Sequence, residues 1–289
     1  MKDLFPYQIM PIWNSRDLRQ RCNLRYKTEQ DTWIKFTIFR GALTCVFVTE
    51  SGDFTKTFIS KVHSKADFIE PHQYYRILSF SEDVQFQLSL YSSAEHYFYK
   101  KYQLITTHSD VVDAVRVVAP GQALDLGCGL GRNALYLALK GFNVTAWDKN
   151  QASIEWLQTV IRREALSLVV SADVRDLNSV IIEGIYDFIL STVVWMFLNP
   201  ARIPLLITNI KACTAVGGYN LIVTAMDSDD YPCVLPFPFR FQAGELKDYY
   251  QDWKIMKYNE DVGQLHKTKV NGERINLRFA TLLACKTIQ

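Results

Sequence analysis

Between residues 33 and 91, apolar and polar residues alternate in five short runs: WIKFTIF, ALTCVFVTE, FTKTFIS, QYYRILSF and VQFQLSLY. Turn signals such as Arg40-Gly41 and Ser51-Gly52-Asp53 separate them. A period of two puts every second side chain on one face, so these runs predict the strands of a small antiparallel β-domain. From about Tyr97 the texture changes. HYFYKKYQLITTHSDVVDAVRVV spaces its apolar residues as a helix does, and from Pro120 strand-like and helical runs alternate. The strands QALDLG, FNVTAWD, SLVVSAD, YDFILSTVV and GGYNLIVTA, with helices near 132–140, 151–164 and 201–213, give a βαβ rhythm and therefore a largely parallel sheet. Asn271-Gly272 then separates WKIMKYNEDVGQLHKTK from RINLRFATLLAC, a strong signal for a closing antiparallel hairpin. The two textures meet in YSSAEHYFYKKY, which predicts domains at 1–93 and 94–289.

Composition narrows the function more than the fold. Lys and Arg total 32 against 30 for Asp and Glu, a net charge of +2, which argues against a chain that neutralises many phosphates; nucleic acid is not an expected partner. No run approaches the roughly 18–20 apolar residues of a membrane span. The N-terminal MKDLFPYQIMPIW is interrupted by Asp3, Pro6 and Pro11, so the chain reads as an unexported, cytoplasmic protein. Its six cysteines show neither a C-x-x-C pair nor zinc-like spacing, which predicts reduced thiols.

The chemistry is concentrated in ALDLGCGLGRN, residues 123–133, where a strand turns into a helix through Gly127, Gly129 and Gly131. Such glycines allow positive φ and let a ligand approach the backbone, while the helix start offers N–H groups. Arg132 stands where a dinucleotide fingerprint has its last glycine, and Asp125 puts a carboxylate toward the turn, where a cation is better received than a pyrophosphate. Asp148 ends the next strand, in position to accept both hydroxyls of a ribose. Asp173 ends the third, where a carboxylate would accept from an adenine amine. A ligand with an ammonium group, a ribose, an adenine and no phosphate satisfies all of these: S-adenosyl-L-methionine, with S-adenosyl-L-homocysteine as the spent product.

The segments LDLGCGLGRN, AWDKN, ADVRDL, YDFILSTVVWMFL and GGYNLIV resemble the class I methyltransferases, whose sheet is Rossmann-like. More closely, residues 98–287, with LGCGLGRNALYLA, TAMDSDDYPC and the closing hairpin, resemble the TehB family of tellurite-resistance methyltransferases. The first ninety residues resemble the small cupin-like β-domain of the longer members. The resemblance implies that Gly127, Gly129 and Arg132 surround the methionine part of the donor. It also implies Asp148 at the ribose, Asp173 and Val174 at the adenine, and backbone around Ser191 and Thr192 at the amino end. It implies a small inorganic oxyanion, tellurite or selenite, as acceptor, methylated by in-line displacement in a detoxification reaction. Another small-metabolite acceptor, or a regulator that binds an adenosyl ligand without turnover, are the alternatives.

An oxyanion acceptor needs cations to hold its oxygens. His266, Lys267, Lys269, Arg274 and Arg278 in the hairpin supply candidates, and Arg274, Asn276 and Arg278 alternate with Ile275, Leu277 and Phe279. A two-residue turn would set Lys267 and Lys269 against Asn276 and Arg274; a three-residue turn ending at Gly272 would move His266 to the Arg274 face. The resemblance makes His266 and Arg274 the leading pair, with Arg278 behind them. In TTHSD, Thr107 or Ser109 is expected to cap a helix, with His108 as a second candidate near the donor. Pro232, Pro236 and Pro238 make residues 226–246 a loop over the acceptor pocket, with Phe237, Phe239 and Trp195 as its wall or as plain packing. No metal is expected in the first domain, because His63, His72 and His96 lack the His-x-His pair of a metal-binding cupin. The oligomeric state is not legible.

Overall fold

The computed structural model of the chain describes residues 3–63, 68–233, 235–268, 272 and 274–288, with the backbone alone at 266–268. Two compact units divide between Thr106 and Thr107. The first contains β1 (Leu4–Asn14), α1 (Ser15–Arg19), β2 (Arg25–Lys27), β3 (Trp33–Arg40), β4 (Ala42–Val48), β5 (Phe54–Lys61), β6 (Tyr74–Phe80), β7 (Gln85–Ser93) and α2 (Ala94–Tyr102). These strands form a three-stranded sheet in the order β1-β7-β3 and a four-stranded sheet in the order β2-β6-β4-β5, with every pairing antiparallel. The core lies between the sheets, where Phe36 and Phe86 from one meet Leu43, Cys45, Tyr75 and Ile77 from the other.

The five alternating runs are all strands. β1 is an addition to them: its two prolines lack N–H donors, which masks a strand in sequence but is compatible with a sheet edge. The β1–β7 register slips between Pro6 and Gln8 and again between Ile9 and Ile12. Helix α2 packs on β1 and β7, with Phe5 and Tyr97 ring centroids 5.6 Å apart, and this contact sets the division after α2 instead of before it.

The second unit contains α3 (Ser109–Ala114), β8 (Gln122–Leu126), α4 (Arg132–Leu139), β9 (Asn143–Asp148), α5 (Gln151–Arg163) and β10 (Val170–Val174). It continues through β11 (Tyr186–Thr192), α6 (Ile203–Ala212), β12 (Thr214–Ala225), α7 (Glu245–Asp248), β13 (Lys254–Thr268) and β14 (Arg274–Cys285). One sheet has the order β10-β9-β8-β11-β12-β14-β13, parallel except that β14 runs against both of its neighbours. This is the expected parallel sheet with a closing hairpin. α5 shows how the helices attach: the Asn150 side chain caps its start by accepting from the Ser153 N–H, and Ile154, Leu157, Val160 and Ile161 make the buried stripe. α6 buries Ile203, Leu206, Ile207 and Ile210 in the same way. Among the described residues no helix is long and apolar enough to cross a membrane.

Candidate active site

β8 pairs with β9 on one side and β11 on the other, so the direction of winding reverses at β8. Connections leaving adjacent strand ends in opposite directions open a crevice at the C-terminal edge of the sheet. Gly127, Gly129 and Gly131 line it with φ of 74°, 54° and 83°, for different reasons. A Cβ on Gly127 would lie 2.0 Å from Val194 Cγ2, and one on Gly131 would lie 2.4 Å from Leu157 Cδ1. Those two glycines make room for protein. A Cβ on Gly129 would meet nothing within 4 Å, so here the backbone is bare toward the crevice.

Asp125, in β8 two residues before Gly127, is 1% exposed, and neither carboxylate oxygen has a hydrogen-bond partner. Burial pushes its pKa up to about 7, helped by the charge of Asp148; the Arg132 guanidinium and the Ala134 backbone N–H, the latter short of hydrogen-bond geometry, pull it down. An unsatisfied buried acceptor costs about 1–3 kcal/mol, more when charged. A ligand cation beside Asp125 would remove that cost. Arg132 is itself partly desolvated, which lowers its pKa, while Asp125 raises it. Asp148 ends β9 and accepts twice from backbone: Oδ2 from Gly129 N–H at 2.9 Å and Oδ1 from Asn150 N–H at 2.8 Å. Each oxygen keeps a lone pair for a further donor, as two neighbouring hydroxyls require. Asp173 and Val174 end β10 opposite Trp147 and Asp148, and both are exposed.

Ser191 and Thr192 end β11 with their hydroxyls committed: Ser191 donates to the Leu126 carbonyl at 3.1 Å, and Thr192 accepts from Asn133 Nδ2 at 3.0 Å. The next residue, Val193, has φ 61°, a costly conformation for a β-branched side chain. It turns the chain so that Val194 fills the space left by Gly127. Asn133 is a site residue that sequence reading missed. Buried on α4, it accepts from the His108 N–H at 3.1 Å and so ties α3 to β11. His108 is the helix cap, in place of Thr107 or Ser109, with Nδ1 accepting from the Asp110 N–H. Asp110 in turn holds Lys257 of β13 at 2.6 Å.

The hairpin stands at the same edge of the sheet. Phe279 pairs with Ala225 at the end of β12, so residues 274–278 of β14 extend beyond it. Ile275 and Leu277 are buried, whereas Arg274 and Asn276 are exposed, as the alternation predicts. Thr268 stands opposite Arg274, with an irregularity between Gln264 and Thr268, and Gly272 has φ 84°. That pairing has the parity of the three-residue turn. The side chain of His266 and Lys269 entirely lie outside the described residues.

Arg278 is already engaged. Its Nε and Nη2 bond the Asp230 carboxylate, Nη1 donates to the Glu260 carbonyl at 2.7 Å, and the guanidinium lies 5.7 Å from the Tyr231 ring. The pairing holds Asp230 down at a pKa of about 2. In this arrangement Arg278 tethers the loop after β12, and Arg274 is the hairpin arginine left exposed. The loop is irregular, as its prolines predict, and is pinched at its base where Met226 bridges Phe241. Trp195 is fully buried against Phe241 and is core; the Phe237 ring meets half-exposed Phe197 edge-on at 5.3 Å. Among the described residues no His, Cys, Asp and Glu cluster could hold a metal.

An orphaned carboxylate for an ammonium, a bare glycine backbone, an aspartate with two remaining acceptor positions and an exposed strand end fit S-adenosyl-L-methionine in that order along the crevice. Comparison with known proteins agrees. The family model described as tellurite resistance protein TehB matches residues 90–283, and a TehB-like domain matches residues 8–88. The chain is 46% identical over 98% of its length to a probable S-adenosyl-L-methionine-dependent methyltransferase TehB of Haemophilus influenzae, 99% of which is covered. It is 44% identical over 75% of its length to a protein of Eikenella corrodens described as hemagglutinin 1, 71% of which is covered. The crystal structure of Haemophilus influenzae TehB superposes with a TM-score of 0.90, covering 98% of this chain and 99% of that one.

Proposed function

The chain belongs to the TehB family and is an S-adenosyl-L-methionine-dependent methyltransferase, and from that premise we propose that its acceptor is a chalcogen oxyanion, tellurite or selenite. The observation that carries this reading is the exposed Arg274 on a strand that overshoots the sheet at the donor edge. When bound, S-adenosyl-L-methionine supplies a sulfonium methyl, which the chalcogen lone pair takes in line while the C–S electron pair returns to sulfur. One such transfer raises the chalcogen from the +4 to the +6 state and needs no general base. The protein's part is orientation and charge.

On the donor side Asp125 holds positive charge, Asp148 fixes a diol, and the Gly129 backbone allows close approach. On the acceptor side Arg274, with His266 as its expected companion, draws the oxygens into place, and the tether from Arg278 to Asp230 closes the loop beside them. The test incubates the protein with S-adenosyl-L-methionine and selenite or tellurite, and follows S-adenosyl-L-homocysteine and the monomethylated oxyanion by mass spectrometry. Turnover that falls at least tenfold in Arg274→Ala and His266→Ala, with donor affinity retained, supports the reading. Tight donor binding without turnover on either anion would overturn it and favour another small metabolite or a regulator without turnover.

A further inference from the structure

The first unit carries a cluster of cations that methyl transfer does not use. In the β2–β6 ladder Arg25 stands directly opposite Arg76, and Lys27 opposite Tyr74. Residues between them, Tyr26 and Tyr75, stack at 5.4 Å, with Tyr75 in the core between the sheets. Alternation therefore puts Arg25, Lys27, Tyr74 and Arg76 together on the outer face, over Val46 and Val48 of β4. Like charges directly opposite each other on neighbouring strands destabilise a sheet, which calls for a compensating charge.

The protein supplies little of it. Glu50 is in contact with the cluster: its carboxylate accepts from the Tyr74 hydroxyl at 3.2 Å, its charge reaches Lys27, and its backbone carbonyl accepts from Arg25. Asp53, on the same turn, is held by Ser51 at 2.6 Å. Arg25 and Lys27 both lie over the Tyr74 ring, at 5.1 and 4.7 Å. Among the described residues none of the three cations has a carboxylate in salt-bridge contact, and Arg76 Nε is buried without any hydrogen-bond partner. The turn at 49–53 closes toward Arg76 through Gly52, with φ 99°, where an added Cβ would lie 3.2 Å from Nη2. A buried, undonated guanidinium N–H beside two further cations is the arrangement that a planar or pyramidal oxyanion completes, since its oxygens accept several charge-assisted bonds at once.

We propose that Arg76, Arg25 and Lys27 form a binding site for a small oxyanion on the outer face of the first unit. The site would give the N-terminal unit a ligand of its own. It does not depend on which acceptor is methylated.

The test titrates the full-length protein, in an Arg274→Gln background that weakens acceptor binding at the hairpin, with phosphate, with selenite and with chloride as control at low ionic strength. Calorimetry and the thermal midpoint are both read. Binding of phosphate or selenite, but not chloride, that weakens at least tenfold in Arg76→Gln and Arg25→Gln is expected, with an anion-dependent rise in midpoint lost in the same variants. Equal binding of the two anions assigns a general oxyanion site; preference for selenite assigns one selective for chalcogen oxyanions. Lys27→Gln, at an exposed position, carries the test if Arg76→Gln fails to fold, with a loss of at least threefold expected. Titrations unchanged in these variants, or no binding of either anion, would overturn the proposal.

Discussion

At the donor end of the crevice the candidate groups come from one stretch, residues 125–192, and lie at or just beyond the ends of the parallel strands β8, β9, β10 and β11. At the proposed acceptor end they come from a hairpin and from a loop whose Asp230 lies 48 residues before the arginine it holds. The donor end is therefore positioned by backbone: glycine φ angles, strand termini and a buried carboxylate that the fold leaves without hydrogen bonds. The acceptor end is positioned by side-chain pairing and by register between long strands. A methyltransferase family with one donor and a distinct acceptor suits that division, since the acceptor end can change without disturbing the sheet.

The sharpest way to break this comparison is at the glycines. Gly127→Ala is expected to destabilise by about 2–5 kcal/mol, from overpacking against Val194 and the cost of φ 74° together. Gly129→Ala should cost only about 1–2 kcal/mol, because nothing protein-made is in its way, yet it should weaken donor binding strongly. Thermal unfolding and donor titration of the two variants separate packing from binding; equal loss of stability in both would contradict the assignment.

Asn133→Ala comes next. It leaves the His108 N–H and the Thr192 hydroxyl without their shared partner, at an expected cost of about 1–3 kcal/mol in denaturant unfolding. It should also loosen donor binding, because Thr192 ends β11 at the crevice edge. A smaller effect distinguishes the two hairpin arginines. Arg274→Gln should raise the acceptor KM about tenfold, the size of one lost charge-assisted bond, with donor affinity unchanged. Arg278→Gln should instead mimic Asp230→Asn, and the double variant should be no worse than either single one, because one tether is removed in each case. Additive losses in steady-state kinetics would return Arg278 to the acceptor site.

The same contrast explains what could be read from the sequence. The candidate donor residues stand out in the sequence because their pattern is local. Gly-x-Gly-x-Gly after an apolar strand, and an aspartate at each of the next two strand ends, are set by neighbours within a few residues. The sheet was legible because its strands are apolar runs with clear breaks. The strand β1 was hidden by its prolines. Asn133, the pairing of Asp110 with Lys257 and the tether of Arg278 to Asp230 had no local signature: each joins residues far apart in the chain. Arg278 shows the consequence, since alternation put it on the Arg274 face but nothing in the sequence named the carboxylate that occupies it.

The central claim is that Asp125 is kept free of hydrogen bonds for the ammonium of the donor. The direct measurement is calorimetric titration of S-adenosyl-L-methionine from about pH 5.5 to about pH 8.5, for the wild-type protein and for Asp125→Asn. Burial raises the Asp125 pKa to about 7, so the neutral acid is favoured below that value and the carboxylate above it. In the absence of donor, the raised pKa means that this group costs stability increasingly between about pH 4, its unfolded value, and about pH 7, and that Asp125→Asn relieves that cost above pH 4. A donor ammonium selects the carboxylate. The account predicts that wild-type affinity rises by up to about tenfold per pH unit toward pH 7 and then levels. Asp125→Asn should bind about 10- to 100-fold more weakly at pH 8, without that slope, while unfolding at a higher temperature. Donor affinity that is equal in the two proteins, with the same pH dependence, would contradict it.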